Sequence, residues 1–206
     1  MDMNDPRLVG LLFLGGCYFA WLWLKDRKAW RAAGHVEARG ALPGATDAPL
    51  SVTLIAVSGA LVLLAAETAG EIALGISGEQ STITIFFGLY SLVAAVIEEV
   101  IFRGYIVVDK RGRGWLIGSI LAASVLFAIG HPFLWKWEEG ALIWNFGLKG
   151  WFSTFVVFLS SLWFYAVRFA SWNPHRSLLP CIAAHGAKNL GVFIIKAAQG
   201  FVSGWW

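Results

Sequence analysis

The sequence predicts an all-α protein, a polytopic transmembrane helical bundle of about six spans. Three observations predict it. Of the 206 residues, 58% are hydrophobic and only 14% are charged, against ~25% charged in soluble domains. The apolar residues fall into runs long enough to cross a ~30 Å hydrocarbon core, about 20 residues in a helix. Lys and Arg gather in the short segments between those runs. The net charge of +3 is therefore spread over interspan loops. It forms no basic patch for nucleic acid, so the bilayer is an expected partner and nucleic acid is not.

The spans follow in order. The first, 8–24, comes after Met1-Asp2-Met3-Asn4-Asp5-Pro6. That opening lacks the basic n-region and small-residue cleavage site of a secretory leader, so the run reads as a retained span. Tyr18, Trp21 and Trp23 suit the headgroup belt. A loop at 34–49, punctuated by Gly34, Gly40, Pro43, Gly44 and Pro49, leads to the second span, 50–66. The remaining spans are 81–107, 115–131, 150–169 and 178–196, and the tail 197–206 ends in Gly204-Trp205-Trp206, an interfacial composition. The chain divides into 1–79, with two N-terminal spans and no recognisable motif, a core at 80–196, and that tail. Lys25, Arg27, Lys28, Arg31, Arg39, Lys110, Arg111, Arg113, Arg168 and Arg176 fall on one side of the membrane. Only Arg7, Lys136, Lys149 and Lys196 fall on the other, where Glu67, Glu71 and Glu79 also lie in a predicted loop. The positive-inside rule makes the first side cytoplasmic and turns both termini outward. Cys17 and Cys181 sit in apolar segments without CxxC spacing and read as small buried hydrophobes.

Ionisable residues inside the spans carry the functional information, because each costs a few kcal/mol in hydrocarbon unless it faces a protein interior or a wet cavity. They are Glu98, Glu99 and Arg103 on span three, His131 at the end of span four, and His185 and Lys188 on span six, with Asn189 as a polar neighbour. Glu99 and Arg103 are i and i+4, so they share a helix face and can pair. Glu98 lies about 100° away and is free to point elsewhere. His185 and Asn189 present two polar tips from one stripe. Ala183, Ala187 and Gly191 form a small-residue stripe that lets another helix approach. Pro132 biases His131 away from helical dihedrals. At 1.5 Å per residue, Glu98 stands ~16 Å and His131 ~26 Å from the 109–114 turn. Tilt, side-chain reach or a helix break at Gly104 must bring them level.

Taken together, Glu98-Glu99-x-x-x-Arg103, Phe127-x-x-x-His131 and His185-x-x-x-Asn189 resemble the three-part signature of the CPBP family. This is the CAAX protease and bacteriocin-processing (Abi) group, which includes the Rce1-like prenyl-protein endopeptidases. The resemblance covers about 80–196. It implies an intramembrane glutamate-dependent endopeptidase with no cofactor or metal, acting near the C-terminus of a membrane-anchored protein or peptide. Sorting-segment removal, leader processing and CAAX-type tail removal are all within its scope. It makes 80–196 a protease core, with Glu98, His131, His185 and Asn189 as catalytic residues.

The residue types suit that chemistry. Peptide hydrolysis needs a base for water and hydrogen-bond donors for the oxyanion. Glu98 is the candidate base, with His131 sharing the water. His185 and Asn189 are the candidate oxyanion donors. Glu99 and Arg103 form a supporting ion pair, and Phe127 packs around the site. Three other readings remain open: a zinc peptidase with Glu98, His131 and His185 as ligands, a non-catalytic scaffold using the same polar cavity, and a proton-relay transporter. The short chain and strong charge asymmetry favour a bacterial inner membrane.

Overall fold

The computed structural model describes residues 5–138 and 140–206. The opening Met1-Asp2-Met3-Asn4 and residue Glu139 lie outside the described residues. Six long helices make up the bundle: α1 (Pro6–Ala32), α2 (Leu50–Ala73), α3 (Ile85–Glu98), α4 (Arg113–Gly130), α5 (Leu148–Phe169) and α6 (Leu179–Ala198). The architecture is the helical membrane bundle that composition predicts. Among the described residues, five helical segments are long and apolar enough to cross a membrane: α1, α2, α4, α5, and α3 with its continuation to Ile106. The sixth, α6, is diluted by His185, Lys188, Asn189 and Lys196. It packs against α2, α3 and α5, while α1 lies along α3 and α4 along α5. A helix enclosed by neighbours on several sides can carry polar groups that a lipid-facing helix cannot.

Local chemistry sets the helix ends. The Asp5 side chain accepts from the Arg7 amide at 2.9 Å, and Pro6 opens α1. The Thr84 hydroxyl accepts from the Phe87 amide at 3.1 Å to cap α3. Two further amides of α3, Ile85 and Phe86, donate to the carbonyls of Gly204 and Trp205, each at 3.1 Å. The C-terminal tail thus satisfies donors that a helix start leaves without intrahelical partners. Close approach between helices rests on small residues. A Cβ at Gly191 would overlap the Leu64 side chain of α2, and one at Gly88 would overlap Phe193. Gly191 is the last member of the stripe seen in the sequence.

Cys181 is buried as the sequence reading expects, but Cys17 is exposed on α1, and three larger features also depart from that reading. First, α2 runs to Ala73 rather than to 66, so Glu67 and Glu71 belong to a helix and not to a loop. Both are turned into the bundle, where they are paired. Second, α3 does not break at Gly104. It continues as a π-helix over Glu99–Ile106, whose i→i+5 bonding widens the turn, a form often found at functional sites. Third, the 132–149 segment contains a hairpin, with β1 (Trp135–Glu138) antiparallel to β2 (Ala141–Trp144) and Trp135 opposite Trp144. Gly140 turns the chain at φ +80°, a conformation in which glycine has no Cβ penalty. In the 34–49 loop, His35 is not isolated. It lies against Trp30 at 4.4 Å and near His175 at 6.2 Å between ring centroids.

Candidate active site

The site forms where the α3–π junction meets α4, α5 and α6. Glu98 is the last α-helical residue of α3 and Glu99 the first of the π-helix. Adjacent positions therefore send two carboxylates in different directions. Glu99 is fully buried, whereas the Glu98 side chain is 32% exposed. His185 of α6 lies between them. Its Nδ1 is 2.8 Å from Glu99 Oε1, and its Nε2 is 3.7 Å from Glu98 Oε2. The first distance is a hydrogen bond; the second is a close charge contact beyond hydrogen-bond length.

Arg103 also approaches Glu99, with Nη1 3.2 Å from Oε1 and both side chains fully buried. The direction of this contact is not that of a hydrogen bond. Glu99 Oε2 and three guanidinium nitrogens, Nε, Nη1 and Nη2, have no hydrogen-bond partner among the described residues. The guanidinium is instead enclosed by aromatic rings, its Cζ 4.3 Å from the centroid of Phe127, 5.2 Å from Phe164 and 5.1 Å from Tyr165. Cation–π attraction of this kind strengthens when the cation is desolvated. Tyr165 also fixes the π-helix, donating from its hydroxyl to the Phe102 carbonyl at 2.6 Å.

Phe127 connects the two histidines. Its ring is 4.8 Å from His131 and 5.9 Å from His185, edge-on to both. One ring of α4 thus bears on both His131 and His185. The α4 helix stops at Gly130, and His131 takes an extended backbone conformation at φ −78°, ψ 133°, as the following proline favours. His131 Nδ1 lies 2.8 Å from the Phe127 carbonyl. A carbonyl only accepts, so Nδ1 carries the proton and the neutral ring has its lone pair at Nε2. Hydrogen bonding of His185 Nδ1 to a carboxylate gives that ring the same tautomer.

Asn189 lies one turn beyond His185 on α6. Its amide nitrogen donates to the Ser91 carbonyl of α3 at 2.9 Å. That bond ties α6 to α3 and leaves the second N–H of the amide available. Lys188, unexplained by the sequence, donates to Glu67 Oε2 of α2 at 2.7 Å.

The structure therefore brings Glu98, Glu99, Arg103, Phe127, His131 and His185 into one connected cluster, with Asn189 one turn away. Among the described residues, no three His, Cys, Asp or Glu side chains form a group able to hold a metal ion. The sequence reading did not single out Phe164, Tyr165, Ser91 or Glu67. The Phe164 ring stacks on His185 at 5.2 Å. Its only signal in the sequence is membership of an aromatic-rich span.

A model of the Rce1-like family, the type II CAAX prenyl endopeptidases, matches residues 80–191, over half of the chain. The chain belongs to this family. It is a membrane protease of the CAAX endopeptidase kind, integral to a bilayer and acting on membrane-associated substrates. The matched segment contains all seven residues of the candidate site. Comparison with curated proteins and with solved structures gives no match.

Proposed function

We propose that this membrane endopeptidase uses Glu98 as the base that activates water and cuts near the C-terminus of a membrane-anchored protein or peptide. The observation that carries this reading is the His185 imidazole held between Glu98 and Glu99, with Glu98 alone of the two carboxylates partly open. Water between Glu98 and His131 would lose one proton to Glu98 and donate its other hydrogen to the His131 Nε2 lone pair. The hydroxide then adds to the scissile carbonyl.

The oxyanion formed would accept from the free N–H of Asn189. His185 joins as a donor at Nε2 once it takes up the proton from Glu98, with Glu99 holding its other nitrogen. As the tetrahedral intermediate collapses, the C–N bond breaks and that proton passes from His185 Nε2 to the departing amine nitrogen. Glu99 and Arg103 act as positioning residues, because both are sealed from substrate and fix the His185 ring. Preorganised donors of this kind act more strongly in a low-dielectric site than in water. The charge pattern favours a bacterial inner membrane, a setting in which protein sorting or leader processing is favoured over prenyl-protein maturation. Residues 1–79 supply two spans that pack on the 80–196 core, and 197–206 is its interfacial tail.

The test is Glu98→Ala in purified protein reconstituted into vesicles, assayed on candidate C-terminal tails with and without a prenyl group. Loss of about 1000-fold or more in turnover is expected, with membrane insertion and melting temperature retained. Substantial turnover by this variant sinks the glutamate mechanism. Activity that disappears on exhaustive chelation, together with one zinc per chain, favours the zinc reading instead.

A further inference from the structure

The chemistry above leaves unused a second group of buried polar residues, on the flank of α6 that faces α2. Glu67 and Glu71 lie one turn apart on α2. Lys188 and Lys196 lie eight residues apart on α6, ~12 Å along the axis. Lys188 donates to Glu67, Lys149 of α5 pairs with Glu71, and Gln80 donates to Glu71 Oε2 at 2.7 Å. Lys196 donates to the Ser81 carbonyl at 2.6 Å. Glu67, Thr68, Glu71, Gln80, Val192 and Lys196 line a cavity of about 40 Å³. A cavity of ~10–15 Å³ with two or more polar partners is enough for one water, so this one has room for more than one.

Its place in the fold gives it a purpose. Lys188 stands between His185 and Asn189 in sequence, at the end of the polar group nearest the catalytic cluster. Lys196, Gln80 and Ser81 stand at the other end, where the 74–84 segment joins α2 to α3. The open edge of Glu98 is the place a substrate peptide must cover, and every peptide bond cut consumes one water. A second polar route is needed while substrate occupies that edge. Charged groups inside a membrane bundle persist where they pair or line a wet cavity; all of these are paired, and Glu67, Glu71 and Lys196 also stand in the cavity wall.

We propose that the α2–α6 cavity is a water-holding vestibule that supplies hydrolytic water to the catalytic cluster from the 74–84 end of the bundle. The supply role rests on the hydrolytic reading above; the hydration of the cavity does not.

The test uses the full chain in vesicles, with Cys17→Ser and Cys181→Ala removing the native thiols. Single cysteines are placed in the cavity, Thr68→Cys and Val192→Cys, and at the outward-facing position Ile194→Cys, where the native residue is 57% exposed. A small neutral methanethiosulfonate needs a thiolate to react, and a thiolate forms only where water reaches the thiol. The two cavity positions are expected to label at least about 10-fold faster than Ile194→Cys, and to do so equally in the inactive Glu98→Ala background. Rates as slow as that of Ile194→Cys overturn the vestibule, whatever the catalytic mechanism. Filling the cavity with Thr68→Leu should lower kcat by about 10-fold with KM within about 2-fold, while the isosteric Thr68→Val stays near wild type. Fast labelling with undiminished kcat in Thr68→Leu overturns the supply role.

Discussion

Two polar ladders cross this bundle, and they treat their charges differently. In the α3–α6 ladder, Arg103 and His185 converge on one oxygen of Glu99, while Glu99 Oε2 and three Arg103 nitrogens have no hydrogen-bond partner among the described residues. In the α2–α6 ladder, each charged group has a partner: Lys188 with Glu67, Glu71 with Lys149 and Gln80, Lys196 with Ser81. Unsatisfied buried polar atoms cost roughly 1–3 kcal/mol each, more when charged. A fold tolerates that cost where another gain offsets it. The first ladder has the composition of a reactive site, its charges held by aromatic rings and one shared oxygen. The second has the composition of a stable polar seam.

The largest expected effect separates the ladders by stability and activity together. Removing one member of a buried pair strands the other charge and costs about 3–5 kcal/mol, while replacing both with apolar residues is often neutral. Lys188→Met should therefore destabilise strongly, and Glu67→Leu with Lys188→Met should recover most of the loss. Glu99→Leu with Arg103→Met should likewise recover stability relative to either single variant, yet remain inactive, because the His185 ring loses the carboxylate that orients it. Unfolding in mild detergent and a cleavage assay read the two quantities. Recovery of activity in the Glu99–Arg103 double variant would erase the distinction between the ladders.

Asn189 sharpens the comparison, since its bond to the Ser91 carbonyl is also what a purely structural residue would make. As an oxyanion donor, Asn189→Ala should lower kcat by about 100-fold with KM changed by less than about 5-fold. Asn189→Asp should be comparably poor, because an ionised carboxylate cannot donate. A raised KM with kcat unchanged would make the residue a bridge between α3 and α6 and leave the oxyanion to His185.

The sequence made the α3–α6 ladder more legible than the α2–α6 one, for a physical reason. Glu98, Glu99, Arg103, His131 and His185 stand out because each is ionisable and flanked by apolar residues. Glu67 and Glu71 were hidden by their position near the end of a span, where charge ordinarily marks a loop. Only their partners on α5 and α6 turn them inward, and such pairing is long-range information. The π-helix at Glu99–Ile106 left no local signal. Its register is held by tertiary contacts such as the Tyr165 hydroxyl on the Phe102 carbonyl. The hairpin did leave one, the alternation Trp135-Lys136-Trp137-Glu138 ahead of Gly140, which an interspan reading passes over.

The smallest expected effect lies outside both ladders, in the loop that joins α1 to α2. Asp47 accepts from Arg31 Nε at 2.6 Å and from Arg27 Nε at 2.7 Å. The hydrogen bond from Arg31 is the main cause holding the Asp47 carboxyl below its ordinary value. Burial opposes that shift, and the hydrogen bond and charge of Arg27 reinforce it. A carboxyl whose folded value is depressed adds stability at pH values above its unfolded value of 3.8. That contribution is lost as pH falls through the folded value. Asp47→Asn should therefore lower the melting temperature slightly at neutral pH, and the gap from wild type should close on acidification below the ordinary aspartate range. The effect should also shrink in high salt, because Arg31 is exposed and its charge is screened. Neither ladder should respond to salt in this way, since their charges are buried among helices. A salt-sensitive melting difference for Lys188→Met would mean that the α2–α6 seam is open to bulk electrolyte rather than holding a few confined waters.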